Sequence, residues 1–367
     1  MKQNHDDRIG LFLEKGAAEG TYPGAALLVA RDGKVVFQKE AGHLSSMPGS
    51  ASVGRQTVFD LASLTKPLAT TLALMRLVDR GKVDLDEPLS GLITGLSVKD
   101  KKEITLRLIL SHSAGFADWR PFYLDLVKYR PEERKDLLRK WIVEEPLVYK
   151  PGKGCVYSDL GFMILEWIVE GLSGMALHES VEKYFYCPLS LNRIFLNTEP
   201  SSTRFSNDIY AATEDCLWRK RVIQGEVHDE NAFALGGYSG HAGLFGDAQG
   251  AFTLVNMLRE HYYGKRDDYL RPETVREFFR RQGIVNGCTW ALGWDTPSLS
   301  DSSSGRYFSP NSVGHLGFAG TSVWMDLEKD VIVILLTNRV HPTRNNRKIK
   351  VFRPMLHDLI MEELGED

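Results

Sequence analysis

The sequence predicts an α+β protein: a sandwich-like antiparallel sheet built from both chain termini and flanked by helices, with a mostly helical lobe inserted between its strands. Three observations carry this. Strand patterns lie near both ends, helical patterns and Ser/Pro/Gly-rich loops fill the middle, and 367 residues favour two lobes over one growing core.

Taken in order, Ala25 to Ala41 read AALLVARDGKVVFQKEA, two apolar runs on either side of Asp32-Gly33. That dipeptide tolerates the positive φ angles of a two-residue turn, so the segment is a β-hairpin. From Ser63 to Gly81, Leu64, Leu68, Leu72, Met75 and Val78 recur at helical spacing, with Gly81 as the stop. The stretch from Ile104 to about Gly174 alternates helical patterns, such as Asp136 to Val143 and Phe162 to Leu172, with loops. Thr321 to Met325 and Val331 to Thr337 are strand-like, joined by Asp326 to Asp330, and a helical pattern follows from Val351 to Leu364. Residues 1–62 and 206–367 then form the sheet-containing lobe and 63–205 the helical one, with the site in the cleft between them.

Apolar residues make up 43% and charged ones 25%, with a formal net charge of −3. This is the balance of a globular chain, and its dispersed Lys and Arg give no basic footprint for nucleic acid or an anionic membrane. No stretch reaches the length of a membrane span. The opening MKQNHDDRIG lacks the apolar run of a secretory signal, so a cytoplasmic location is expected. Cys155, Cys187, Cys216 and Cys288 show neither CxxC spacing nor the density of a disulfide scaffold, and are expected as free, mostly buried thiols.

Three segments carry chemistry. In Phe59-Asp60-Leu61-Ala62-Ser63-Leu64-Thr65-Lys66-Pro67, Ser63 and Lys66 are three apart where a helix begins, hence on one face. Pro67 is harmless only in a first helical turn, which sets Ser63 at the positive end of the dipole. Serine is a weak nucleophile without a base, and a partly desolvated lysine of lowered pKa one turn away helps supply one. Taken alone, Ser-x-x-Lys equally fits a surface pair on an ordinary helix.

In Val156-Tyr157-Ser158-Asp159-Leu160-Gly161, Tyr157 lies on a loop before a helix. Beside an ammonium, a phenol loses its proton more easily and can serve as general base and then acid. Asp159 can accept a hydrogen bond from Lys66 or the substrate, or act as N-cap of the helix starting near Leu160. The third segment is Gly314-His315-Leu316-Gly317-Phe318-Ala319-Gly320-Thr321-Ser322, whose glycines mark close approach by a backbone or a ligand. The N–H groups of Ser63 and Phe318 can converge there as an oxyanion hole. His315 can present a donor or a cation to the substrate, or be a hydrogen-bonded structural histidine. A further stretch, Gly225 to Ala232, gathers His228, Asp229 and Asn231, with His241 downstream. Its spacing matches no zinc pattern, so Asn231 is expected in substrate contact or loop bracing; no metal and no organic cofactor are expected.

In order, spacing and surroundings these segments resemble the class C β-lactamase and penicillin-binding protein superfamily, which also holds family VIII-type serine esterases. Leu108 to Gly115, Gly240 to Phe245, Ala291 to Trp294 and Leu335 to Arg339 are likewise similar to recurring family segments. The resemblance covers most of the chain. It implies a β-lactamase/transpeptidase-like fold, Ser63 as nucleophile, Lys66 as activator, Tyr157 as general acid and base, and Gly317-Phe318 as the substrate-facing strand. Two departures stand out: the usual Tyr-x-Asn is Tyr157-Ser158-Asp159, and Lys-Thr-Gly is His315-Leu316-Gly317. Both remove features that hold a β-lactam, an amide for its acyl side chain and a permanent cation for its carboxylate.

The expected function is a serine hydrolase acting through an acyl-enzyme on Ser63. Its substrate is small or peptide-like, with esterase or D-Ala-peptidase-like activity and weak β-lactamase turnover. One alternative is a non-catalytic penicillin- or peptidoglycan-binding protein of the same fold, which a broken triad would signal. Another is a metalloenzyme built on His228 and its neighbours.

Overall fold

Asp32 and Gly33 both have positive φ, 52° and 74°, and strands Gly24–Arg31 and Lys34–Gly42 pair antiparallel across the turn they make. The structure, a computed structural model, describes residues 3–93, 100–198 and 203–365; Met1 and Lys2 of the opening stretch lie outside them. Strand Val331–Thr337 adds to the hairpin in the register Ala25 with Thr337 through Arg31 with Val331. Ser322–Asp326 and Ser312–Leu316 follow, so both termini build one five-stranded antiparallel sheet, as the sequence predicts.

The neighbouring strands Gly24–Arg31 and Val331–Thr337 are apolar up to their last residues because both faces are covered. Alternate residues divide between two cores. Ala26, Leu28, Ile332 and Ile334 join the larger core, which includes Leu254 and Leu258 of helix Ala248–Tyr262. Leu27, Val29, Val333 and Leu335 pack with Leu13 of helix Gln3–Ala18 and with Leu356 and Ile360 of helix Ile349–Gly365. The sequence reading marked neither the helix Gln3–Ala18 nor Ala248–Tyr262. In the second, Phe252, Leu254, Val255, Met257 and Leu258 are all buried, so no single apolar stripe stands out.

The larger core continues into helices Leu72–Asp79 and Asp159–Ser173. The predicted helix from Ser63 comes in three pieces: a 3₁₀ turn Ala62–Leu64, a wide π-type segment Lys66–Thr71 and an α-helix to Asp79. Asp159 is the first residue of its helix rather than the N-cap. Ser158 takes that place, its Oγ accepting from the Gly161 N–H at 3.2 Å while donating to the Ala117 carbonyl at 2.6 Å. A small sheet of Phe59–Asp60, Leu244–Gly246 and Phe195–Leu196 brings the strand before Ser63 beside the segment after His241.

The cysteine expectation is corrected. Cys155 and Cys288 form a disulfide with a Cα–Cα distance of 6.0 Å; of the free thiols, Cys216 is buried and Cys187 exposed. Partners 133 residues apart leave no local spacing to read. Among the described residues no single helix is long and apolar enough to cross a membrane.

Candidate active site

The strand Phe59–Asp60 delivers Ser63 through an unusual backbone. Ala62 has φ 50°, a left-handed conformation that costs a non-glycine residue about 1–3 kcal/mol. Asp60 holds it there: one carboxylate oxygen accepts from the Ala62 N–H at 2.8 Å and the other from the His228 N–H at 2.7 Å. Burial pushes the Asp60 carboxyl up against the pull of those bonds.

Lys66 is fully buried, and its three N–H groups meet three acceptors: Ser63 Oγ at 3.0 Å, Asp159 Oδ1 at 2.6 Å and the His241 carbonyl at 3.3 Å. An ammonium has no further proton to place, so this is the geometry of a charged lysine. Burial is the largest single influence and works to discharge it, but Asp159 and Tyr157 together outweigh burial and raise the pKa. The sequence reading expected a lowered one. Aspartate at the usual asparagine position is the reason for the reversal.

Tyr157 lies with its ring centroid 4.6 Å from Lys66 Nζ, its hydroxyl interacting with both Lys66 and Ser63. Burial raises its pKa more than Lys66 lowers it, so the resting phenol is neutral, again opposite to expectation. His112, Trp290 and His315 surround the ring at 4.7, 5.6 and 6.0 Å.

His315 is buried, with Nδ1 at 2.8 Å from the Leu316 carbonyl and no partner on Nε2. Burial and the Lys66 charge push it down to about 3, so it is a neutral wall behind Tyr157 and offers the substrate no cation. Asn231 is also buried and braces loops, accepting from the Tyr123 N–H and donating to the Arg120 carbonyl, each at 2.8 Å. Gly317 meets the protein rather than ligand: a Cβ there would lie 2.0 Å from Thr321 Oγ1 and 2.6 Å from the Leu61 carbonyl. Phe318, by contrast, is exposed, and its N–H has no acceptor among the described residues, as an oxyanion-hole donor requires.

A cavity of about 310 Å³ opens over Ser63, walled by Trp119, Tyr157, Asp159, His241 and Phe318, with Arg344 at its edge. His241 Nε2 stands 2.9 Å from Asp229 Oδ1, and Asp229 also caps the helix Glu230–Ala234 by accepting from the Ala232 N–H. Asp159, Asp229 and His241 offer ligand atoms within 4.8 Å of one another. Lys66 already supplies the positive charge beside Asp159. His228 lines the same cavity, its ring stacked on Phe318, with Nε2 held 3.0 Å from Glu214.

The sequence reading brought Ser63, Lys66, Tyr157, Asp159 and Phe318 together, and the structure does the same. It missed the roles of Asp60, His112, Asp229 and His241. All four lie in stretches whose residue types stood out, but part of each one's surroundings comes from elsewhere in the chain: His228 for Asp60, Tyr157 for His112, and Asp159 for Asp229 and His241.

The family named Beta-lactamase matches residues 11–353. An N-acetylmuramyl-L-alanine amidase of Bacillus subtilis (strain 168) is 34% identical, covering 91% of this chain and 81% of that one. A putative D-alanyl-D-alanine carboxypeptidase of Salmonella schwarzengrund is 34% identical over 89% and 81%. Among solved structures, EstCE1, a hydrolase with promiscuous acyltransferase activity, superposes with TM-score 0.74 at 21% identity, covering 96% of this chain and 99% of that one. The simvastatin synthase LovD of Aspergillus terreus gives 0.76 at 16% identity over the whole of both chains. The fold, the assembled Ser63-Lys66-Tyr157 constellation and these matches lead to one statement: this chain is a serine hydrolase of the β-lactamase family.

Proposed function

We propose that Ser63 is acylated by the carbonyl of an amide in a peptidoglycan-type fragment, and that Lys66 and Tyr157 move the protons. The observation that carries this is the Lys66 ammonium donating to Ser63 Oγ at 3.0 Å while interacting with the Tyr157 hydroxyl. The reactive form is the one in which the Lys66–Tyr157 pair has lost one proton. Ser63 Oγ then attacks the carbonyl carbon and passes its proton to the phenolate, and Tyr157 returns that proton to the leaving nitrogen as the C–N bond breaks. Water enters by the same route in reverse and releases the acid. Open-chain amides that need no carboxylate anchor are favoured over β-lactams because His315 is neutral and the Asp159 carboxylate pairs with Lys66, so neither anchor of a β-lactam is present. The two curated relatives, named as an amidase and a carboxypeptidase, support an amide substrate.

The test is intact-protein mass spectrometry after exposure to a fluorophosphonate and, separately, to a penicillin, with Ser63→Ala as control. A fluorophosphonate adduct lost in the variant, little penicillin adduct, and turnover of muramyl-peptide or D-Ala-D-Ala amides would support the proposal. Tyr157→Phe should slow that turnover by roughly 10²–10⁴-fold while leaving the fold intact. The absence of any adduct on Ser63 would favour the non-catalytic binding protein.

A further inference from the structure

An aspartate beside the active-site lysine creates a difficulty, because it holds the proton that the reaction must release. Asp159 Oδ1 is 2.6 Å from Lys66 Nζ, and a carboxylate so close favours the charged lysine. The structure sets the His241 imidazole, its Nδ1 without a hydrogen-bond partner among the described residues, close to the same carboxylate. Asp159, Asp229 and His241 offer atoms within 4.8 Å of one another, and His241 Nε2 is 2.9 Å from Asp229. Lys66, Asp159, His241 and Asp229 thus lie in succession, base alternating with acid, and the last three line the cavity.

We propose that His241, held as an imidazolium by Asp229, is a positioning residue of the reaction: standing close to the Asp159 carboxylate that Lys66 binds, it opposes the Lys66 charge and so eases proton loss from the Lys66–Tyr157 pair. This rests on the reading of Lys66 and Tyr157 as the proton carriers. The loop presenting His241 is firmly built. Glu166, paired with Lys135 at 2.8 Å, accepts from Ser239 Oγ at 2.7 Å and from the Gly240 N–H at 2.8 Å; the Gly240 carbonyl accepts from Thr70 Oγ1 at 2.6 Å. The His241 carbonyl itself accepts from Lys66, which ties the imidazole's own backbone to the group it influences.

The charged groups around the imidazole come from several elements. Asp229 precedes the helix Glu230–Ala234, Asp159 begins the helix Asp159–Ser173, and Lys66 lies on the π-type segment. Asp60, His228, Glu230 and Arg344 line the same cavity, and Arg344 is engaged by Glu214 and Glu230 at 2.5 and 2.6 Å. Burial works most strongly to discharge His241, but Asp229 and then Asp159 outweigh it and raise its pKa, while Lys66 opposes them. That last repulsion is mutual, so a protonated His241 makes the Lys66 proton easier to lose.

The experiment is the pH dependence of fluorophosphonate labelling of Ser63 in the wild type, His241→Gln and Asp229→Asn. Asp229→Asn keeps an oxygen for the Ala232 cap and removes only the charge that holds the imidazolium. Both variants should label several-fold more slowly than wild type on the acid and neutral side. The profiles should converge at alkaline pH, where wild-type His241 has itself lost its proton. A deficit of equal size at every pH, as structural damage would give, overturns the proposal; so do unchanged profiles. If wild-type Ser63 takes no label at any pH, it is the underlying serine mechanism that fails.

Discussion

At the scale of single residues, Asp159 decides the charge state of the site, its carboxylate 2.6 Å from Lys66 Nζ. Asp159→Asn keeps an oxygen for Lys66 Nζ but removes the negative charge. The sign follows directly. The carboxylate favours the protonated lysine, so its loss makes the Lys66–Tyr157 pair release its proton at lower pH. The acid limb of the Ser63 labelling profile should therefore move toward acid, and penicillin acylation should rise with it; a limb that stays in place would show that Asp159 does not govern Lys66. The identity of Ser63, Lys66 and Tyr157 was legible in the sequence because each sits in a short motif. Their charge states were not. Burial and the approach of Asp159 from 93 residues away are products of folding, and they reverse the pKa directions that local spacing suggests. His315 shows a related limit: its place on the strand and its neutrality over much of the physiological range were readable, but how far its pKa falls was not, because burial sets it.

Among the elements, the legible ones were those whose pattern is local. The Asp32-Gly33 hairpin and the strand Val331–Thr337 declare themselves through turn chemistry and β-branched runs, and both were found. The π-type widening at Lys66–Thr71 has no such pattern, since it answers to contacts from other parts of the chain. Gly240 illustrates how tightly one segment is seated by another. A Cβ there would lie 2.1 Å from the Phe162 carbonyl and 2.9 Å from the Glu166 Cβ, so the segment carrying His241 would have to move away from the helix Asp159–Ser173. Gly240→Ala should cost about 1–3 kcal/mol in denaturant unfolding and reduce turnover by more than its stability loss explains. Normal activity with normal stability would mean that the segment has slack the structure does not show.

At the scale of the whole molecule, the Cys155–Cys288 disulfide joins the stretch before Tyr157 to the stretch before Trp290, two residues that pack 5.6 Å apart. Replacing both cysteines by serine should lower stability by about 2–4 kcal/mol, measured as a shift in the denaturant midpoint. An unchanged midpoint would remove the cross-link from the stability of the fold. The sheet's contribution from both termini was readable because strands were visible at each end. The cross-link was not, since no local rule pairs cysteines 133 residues apart.

The same cross-link makes residues 155–288 a covalent ring, and the ring divides the active site by ownership. Tyr157, Asp159, Asp229 and His241 lie within it, whereas Ser63, Lys66 and His315 belong to the two tails that leave it. A protease that cuts beside Lys220, in the exposed turn Leu217–Lys220, opens the ring without dividing the molecule: the two pieces stay bonded and separate only under reduction. A cut beside the fully exposed Leu299 falls on a tail and frees a C-terminal piece carrying His315 and three sheet strands, whatever the state of the sulfurs. Paired gels with and without reductant thus read the topology of the chain directly.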